Sequence, residues 1–112
     1  MSELNKLYEV CMSRKADYEN GTADESSYTC YLYSKGVDKI CKKCGEECTE
    51  MVIAAKNNDN NELKNEVADL FYHVCVLCAE RGLDIAEVEA ELEARSNKIG
   101  NKKQFHVTDK NT

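Results

Sequence analysis

The sequence predicts an all-α fold, a helical bundle of about four to five helices. The 112-residue chain has no proline and only five glycines, the two residue types that most often interrupt helices. It is 42% hydrophobic and 32% charged, which is typical of a globular domain. Apolar residues also recur at helical spacing in several segments. Because a domain of this size buries only about two-thirds of its unfolded surface, we expect dimerisation to complete the bundle.

The first part of the chain predicts two helices. Residues 3–18 form the first, because four apolar side chains share one helical face: Leu4, Leu7, Tyr8 and Cys11. The polar residues 19–26 are predicted as a connecting loop. Ser26 or Ser27 is then expected to cap a short helix that runs to about Lys35.

Two long helices follow, joined by an asparagine-rich turn. Asp38 is the predicted N-cap of the first, which runs to about Lys56, and Asn61 is the predicted N-cap of the second, which runs to about Arg81. The apolar seam of the first is predicted at Val37, Cys41, Cys44, Cys48, Met51 and Ala55. The seam of the second is predicted at Leu63, Val67, Leu70, Val74 and Leu77.

The last predicted helix begins at a pair that resembles a capping box, Asp84 and Glu87. Three apolar residues are expected to face inward: Ile85, Val88 and Leu92. Beyond this helix the chain becomes basic and loses its apolar periodicity. We therefore predict one domain over residues 1–97 and a basic, mobile tail over residues 98–112.

The composition also limits the partners and the compartment. A net charge of −6 and a pI near 5.0 argue against nucleic acid as a partner, because binding to a phosphate backbone needs a basic face. No apolar run reaches the roughly 20 residues of a membrane span, and the first 20 residues are too polar for a signal peptide. The seven cysteines are an odd number and are expected to be reduced thiols. We expect a cytoplasmic protein without a membrane partner.

Two cysteine pairs offer a different function. Cys41 and Cys44, and likewise Cys75 and Cys78, have the spacing found in four-cysteine zinc sites. Their position inside predicted helices, rather than on glycine-containing turns, favours small apolar core residues instead. The alternative that remains is a helical dimerisation module stabilised by zinc.

Acidic residues gather beside the seams of the two long helices. At about 100° per residue, Glu46, Glu47 and Glu50 fan along one flank of the first seam, and Glu66 and Asp69 lie on one flank of the second. An antiparallel hairpin would bring these flanks together. Carboxylates at such short distances repel one another unless a cation binds between them. A set of oxygen ligands favours Mg²⁺ or, as an alternative, Mn²⁺.

Other residues near these acids are candidate substrate ligands. Lys39 and Lys43 lie on the stripe of the glutamates, where they would bind phosphate oxygens. His73 is one turn beyond Asp69 and within reach of a hydrogen bond to it, although a packed histidine without a ligand is the simpler interpretation. Ser27 is a further candidate for substrate binding. The tyrosines of residues 28–33 are expected in a core or an interface rather than in a base-stacking platform.

The pattern Glu-Glu-x-x-Glu at 46–50, followed by Glu-x-x-Asp at 66–69, resembles the metal signature of the all-α NTP pyrophosphatase superfamily. Within that superfamily, the texts KGVDKICKKCGEECTEMVIAAK at 35–56 and EVADLFYH at 66–73 resemble the phosphoribosyl-ATP pyrophosphohydrolase family. The resemblance covers roughly residues 26–95. This chain departs from the family pattern at Cys44, Cys48, Cys75 and Cys78, which leaves the acids intact.

The resemblance implies Mg²⁺-dependent hydrolysis of 1-(5-phosphoribosyl)-ATP to 1-(5-phosphoribosyl)-AMP and pyrophosphate, the second step of L-histidine biosynthesis. It also implies a homodimer with a shared four-helix arrangement. The metal ligands that it implies are Glu47, Glu50, Glu66 and Asp69, and Glu46 is implied as a further ligand or as the base, so that Glu46 and Glu47 are the candidate catalytic residues. An alternative within the superfamily is a housecleaning pyrophosphatase that acts on modified nucleotides.

Overall fold

The computed structural model describes the backbone of residues 2–100 and the side chains of residues 2–96. Within this range it contains five helices and no strand, as the sequence predicts. The helices are α1 (Glu3–Glu19), α2 (Tyr28–Lys35), α3 (Val37–Lys56), α4 (Asn60–Arg81) and α5 (Ile85–Gly100). The predicted tail covers residues 98–112; residues 98–100 are the last residues of α5, and residues 101–112 lie outside the described residues.

The helix ends follow local hydrogen-bonding chemistry. The Ser27 hydroxyl accepts a hydrogen bond from the backbone N–H of Cys30 at 3.2 Å, which caps α2. Gly36 ends α2 with a backbone φ of 88° and leads directly into α3. Gly82 ends α4 in the left-handed conformation that glycine adopts without strain.

Two predicted caps are each wrong by two residues. Helix α3 begins at Val37, so Asp38 lies in its first turn, where a negative charge still favours the helix dipole. The cap of α4 is Asp59 rather than Asn61, because the Asp59 carboxylate accepts a hydrogen bond from the Glu62 N–H at 3.0 Å. The turn between the two helices is therefore only residues 57–59, and the helices run antiparallel.

The core lies between α1, α2, α3 and α4, with the first turn of α5 closing one end. Its fully buried residues come from all five helices and include Cys11, Leu32, Ile40, Cys75, Val76 and Ile85. Helix α5 is tied to α1 at the surface, where Glu89 accepts hydrogen bonds from Ser2 and Asn5 at 3.1 and 2.9 Å.

The predicted seam of α3 is rotated from the buried face by about 80°, which is less than a quarter of a helical turn. Its buried residues are Ile40, Glu47 and Ala54, whereas Cys41 and Cys48 are exposed. Helix α3 packs mainly on α4. The side of α3 that carries Cys41 and Cys48 is exposed. The interpretation of the cysteines as core residues thus holds for Cys75 and Cys78 on α4 and fails for these two.

The seams of the other helices agree only in part with the sequence. The predicted α4 residues Leu63, Val67, Leu70, Val74 and Leu77 are half-buried, whereas Glu66, His73, Cys75, Val76, Cys78 and Ala79 are buried. On α5, Ile85 is buried and Val88 is half-buried, but Leu92 is 61% exposed because α5 makes few contacts beyond its first turns. None of the helices in the described part of the chain has both the length and the hydropathy of a membrane span.

Candidate metal centre

The antiparallel pairing of α3 and α4 brings three carboxylates together. One carboxylate oxygen from each of Glu47, Glu66 and Asp69 lies within 4.8 Å of the other two. Glu47 comes from the middle of α3, and the other two residues sit one turn apart on α4. The acidic flanks of the two helices therefore meet at one place in the hairpin.

Two of these carboxylates are buried, and each has an oxygen atom without a hydrogen-bond partner. Glu47 is 7% exposed and Glu66 is 9% exposed, and the Oε2 atom of each has no hydrogen-bond partner. Buried polar atoms are almost always satisfied, and a buried charge without a counter-charge is costly. Oxygen donors of this kind are those that Mg²⁺ and Mn²⁺ prefer, so the residues present fit a hard divalent cation.

The same crowding acts on the protonation of Glu66. The neighbouring carboxyl groups of Glu62, Glu47 and Glu50, in that order, together with burial, raise the pKa of Glu66 to about 8. A bound cation would act in the opposite direction, because it favours the ionised carboxylate. The sequence analysis missed Glu62, although its position four residues before Glu66 on one helix was a signal for it.

A small cleft of about 190 Å³ opens on this group. Its walls come from the end of α3 and the start of α4 and are formed by Glu50, Ile53, Ala54, Asn57, Asp59, Glu62 and Glu66. Glu50 is exposed at the rim of this cleft, within range to influence Glu66. Glu46 is also exposed, outside the three-carboxylate group, and its charge acts on Tyr28 instead.

The predicted substrate ligands lie on three different helices or their caps: Ser27 caps α2, Lys39 and Lys43 are on α3, and His73 is on α4. Lys43 is half-buried, and its charge acts on Tyr28 together with those of Glu47 and Glu46. Lys39 is half-buried one turn earlier on α3. The oxygen of Ser27 is already engaged as the cap of α2.

His73 is 5% exposed, and both of its ring nitrogens have partners. Nδ1 lies 2.8 Å from the backbone oxygen of Asp69, and Nε2 lies 3.2 Å from the Tyr28 hydroxyl. A carbonyl oxygen can only accept, so Nδ1 donates to it, and in the neutral ring Nε2 accepts from Tyr28. The predicted contact with Asp69 thus forms through the backbone, which leaves the Asp69 carboxylate free for the acidic group.

The four cysteines of the zinc alternative do not form a comparable group. Cys41 is exposed and Cys44 half-buried on α3, while Cys75 and Cys78 are buried in the core. Among the side chains that the structure describes, the set of three or more close metal ligands is Glu47, Glu66 and Asp69. The arrangement therefore favours an oxygen site over a thiolate site.

A bundle of five helices that collects carboxylates from an antiparallel pair has the architecture of the all-α NTP pyrophosphatases. Comparison with known families makes this class more specific. The family model described as phosphoribosyl-ATP pyrophosphohydrolase matches residues 8–96. The chain therefore belongs to the phosphoribosyl-ATP pyrophosphohydrolase family and is a hydrolase.

Similar proteins that bear the name phosphoribosyl-ATP pyrophosphatase occur in several bacteria. The protein of Streptococcus gordonii is 54% identical over 95 residues, which cover 85% of this chain and 86% of the relative. The protein of Listeria welshimeri is 54% identical over 96 residues, which cover 86% and 87%. The protein of Clostridium novyi is 47% identical over 100 residues, which cover 89% and 86%.

Proposed function

We propose that this chain hydrolyses 1-(5-phosphoribosyl)-ATP to 1-(5-phosphoribosyl)-AMP and pyrophosphate in a reaction that depends on Mg²⁺. This reaction is the second step of L-histidine biosynthesis. Membership of the family supports the choice of substrate. The single structural observation that carries the proposal is the pair of buried, unpartnered carboxylate oxygens of Glu47 and Glu66. We place the reaction in the cytoplasm, since all seven cysteines are free.

Glu47, Glu66 and Asp69 would hold the cation, with Glu50 joining them from the rim of the cleft. When bound there, Mg²⁺, or Mn²⁺ in its place, would neutralise the negative charge of the leaving pyrophosphate. The buried position of Glu47 and Glu66 keeps these carboxylates in a fixed geometry before the substrate arrives.

The reaction adds one water and breaks one phosphoric anhydride bond, so a base must take a proton from the attacking water. Glu46 lies outside the three-carboxylate group and next to Glu47 in the chain. Its carboxylate is therefore available for this proton, and we assign it as the base. Glu47 then acts through its position in the metal centre.

The substrate is a polyanion, so positively charged side chains of this acidic chain are needed to bind it. Lys43 lies close to Tyr28 and to the acids, and Lys39 precedes it by one turn. We propose that both lysines bind phosphate oxygens that the cation does not contact. Ser27 and His73 would act at the edge of the substrate site, where they fix α2 and α4 around it.

A single-turnover assay tests the proposal. The enzyme should release pyrophosphate from phosphoribosyl-ATP with Mg²⁺, and it should release none after chelation. Glu50→Gln should slow this release by about 100-fold and leave the helical circular dichroism unchanged, because the side chain is exposed. The matched control is Glu87→Gln, which removes one exposed carboxylate from α5. Undiminished release by Glu50→Gln would show that the metal assignment is wrong.

The same assay separates this reaction from the alternative within the superfamily. Ordinary and modified nucleoside triphosphates are offered beside phosphoribosyl-ATP under identical conditions. Faster turnover of a modified triphosphate would identify a housecleaning pyrophosphatase. Preference for phosphoribosyl-ATP would support the proposed pathway step.

We also propose that two copies of the chain associate as a homodimer. Large apolar side chains are exposed on α3 and α4, with Val52 at 55%, Ile53 at 53% and Phe71 at 52%. An exposed apolar surface on two adjacent helices is typical of an interface. Sedimentation at micromolar concentration should give twice the mass of one chain, and Val52→Glu should shift the protein towards the monomer.

A further inference from the structure

A row of aromatic rings lies beside the metal centre. Tyr28 stacks with Tyr31 at a centroid distance of 6.1 Å and an interplanar angle of 26°, and with Tyr72 at 6.2 Å and 29°. Tyr28 and Tyr31 are 44% and 43% exposed, in contrast to the buried Tyr33. Tyr33 thus lies in the core, which agrees with the expectation of a core or an interface, whereas Tyr28 and Tyr31 lie outside the core.

Hydrogen bonds through His73 connect this row to Asp69, a residue of the acidic group. The Tyr28 hydroxyl lies 3.2 Å from Nε2 of His73, and the other nitrogen of His73 binds the backbone of Asp69 at 2.8 Å. Only one buried side chain thus separates the exposed ring of Tyr28 from a residue of the metal centre. A ligand held by both sites would place a flat group on the rings and a charged group at the carboxylates.

The charges around the rings suit a phosphorylated ligand. The Lys35 ammonium lies 5.7 Å from the centroid of Tyr31. Lys43 acts on Tyr28 from α3. Cations next to an exposed aromatic surface favour a ring that carries phosphates over an uncharged apolar partner.

We propose that the exposed rings of Tyr28 and Tyr31 form the platform on which the adenine ring of the substrate stacks. This assignment rests on the proposed function, which supplies an adenine nucleotide as the ligand. Aromatic side chains bind purines through their π-faces, and such a contact positions the base without taking part in the chemistry. Tyr31 is therefore a positioning residue, and Tyr28 links the platform to His73.

Inhibition by AMP, a fragment of one product, and by pyrophosphate, the other product, tests the platform. AMP carries the adenine ring, whereas inorganic pyrophosphate carries only the charge. Tyr31→Ala should raise the inhibition constant of AMP by about tenfold and leave that of pyrophosphate unchanged. Tyr31→Phe keeps the ring and should keep the inhibition constant of AMP.

A fluorescence experiment tests binding without turnover. The chain has no tryptophan, so Tyr31→Trp introduces a single reporter into the platform. AMP should quench its emission, and pyrophosphate should not. Leu92→Trp is the matched control, because Leu92 is 61% exposed on α5, which packs against α1, and AMP should leave its emission unchanged.

The outcomes separate this inference from the function on which it rests. If the wild-type enzyme releases no pyrophosphate from phosphoribosyl-ATP, the proposed function fails, whatever the fluorescence shows. If that release occurs but AMP fails to quench Tyr31→Trp, the platform is overturned. The platform is also overturned if Tyr31→Ala weakens AMP and pyrophosphate equally, or if it changes only the sedimenting mass, which would identify an interface between copies.

Discussion

Binding of Mg²⁺ to the proposed centre should release a proton from Glu66. Glu62, Glu47 and Glu50 crowd this carboxyl and raise its pKa to about 8, so the cation-free protein holds it largely protonated at neutral pH. A cation binds the ionised carboxylate, and the proton must therefore leave when the cation arrives. Metal binding and proton release are coupled at this one side chain.

The size of the effect follows from the pKa. With a pKa of about 8, Glu66 carries about 0.9 proton at pH 7 and about 0.1 proton at pH 9. Each bound Mg²⁺ should thus release close to one proton at pH 7 and very little at pH 9. The apparent affinity for Mg²⁺ should rise over the same pH interval, since the competing proton is lost.

Isothermal titration calorimetry measures this proton directly. The observed binding enthalpy at pH 7 should vary with the ionisation enthalpy of the buffer, with a slope near one proton, and this slope should nearly vanish at pH 9. Glu66→Gln lacks both this proton and a proposed ligand of the cation, so any Mg²⁺ that this variant still binds should be bound without release of a proton from position 66. Tight Mg²⁺ binding at pH 7 without proton release would refute the placement of the cation at Glu66.

Three further predictions concern the stability of the metal-free protein. The pKa of Glu66 is raised above its ordinary value of 4.5, so its stabilising contribution is fully present below about pH 4.5 and is lost as the pH rises through about 8. Urea unfolding should show this decline, and Glu66→Gln should reduce it. Leu32→Ala should lower the free energy of unfolding by about 2–5 kcal/mol, because Leu32 is fully buried, whereas Leu92→Ala should change it by less than about 0.5 kcal/mol. Gly82→Ala should lower the melting temperature, since its φ of 73° strains a side chain, and Gly45→Ala within α3 should raise it because no atom lies within 4 Å of the added Cβ.

The helix limits were largely predictable because short-range chemistry sets them. Ser27 caps α2 with its own hydroxyl, and Gly82 ends α4 with a conformation that other residues rarely adopt. The meeting of Glu47 with Glu66 and Asp69 was also within reach of the sequence. Helical periodicity placed each acid beside its seam, and a turn of three residues leaves the helices no arrangement except an antiparallel one.

The buried face of α3 was not predictable in the same way. Apolar and thiol side chains cover a wide arc of this helix, and Cys41, Cys48 and Val52 resemble a core face as closely as Ile40 and Ala54 do. Tertiary packing alone determines which of the two faces of α3 is buried. The face that contains Glu47 is the one that packs on α4. The bond from His73 to the backbone of Asp69 likewise depends on side-chain geometry that residue spacing leaves open.

The burial of Glu47 in the contact between α3 and α4 gives a bound cation a second role, in stability. Helix α3 buries only Ile40, Glu47 and Ala54, so the middle of its contact with α4 is a carboxylate rather than an apolar side chain. Without a cation, this contact places Glu47 against Glu66, each with an unsatisfied oxygen. A cation that binds only the folded pairing of α3 and α4 must stabilise that pairing by mass action. Metal binding at the proposed centre would therefore act on the packing of these two helices as well as on the substrate.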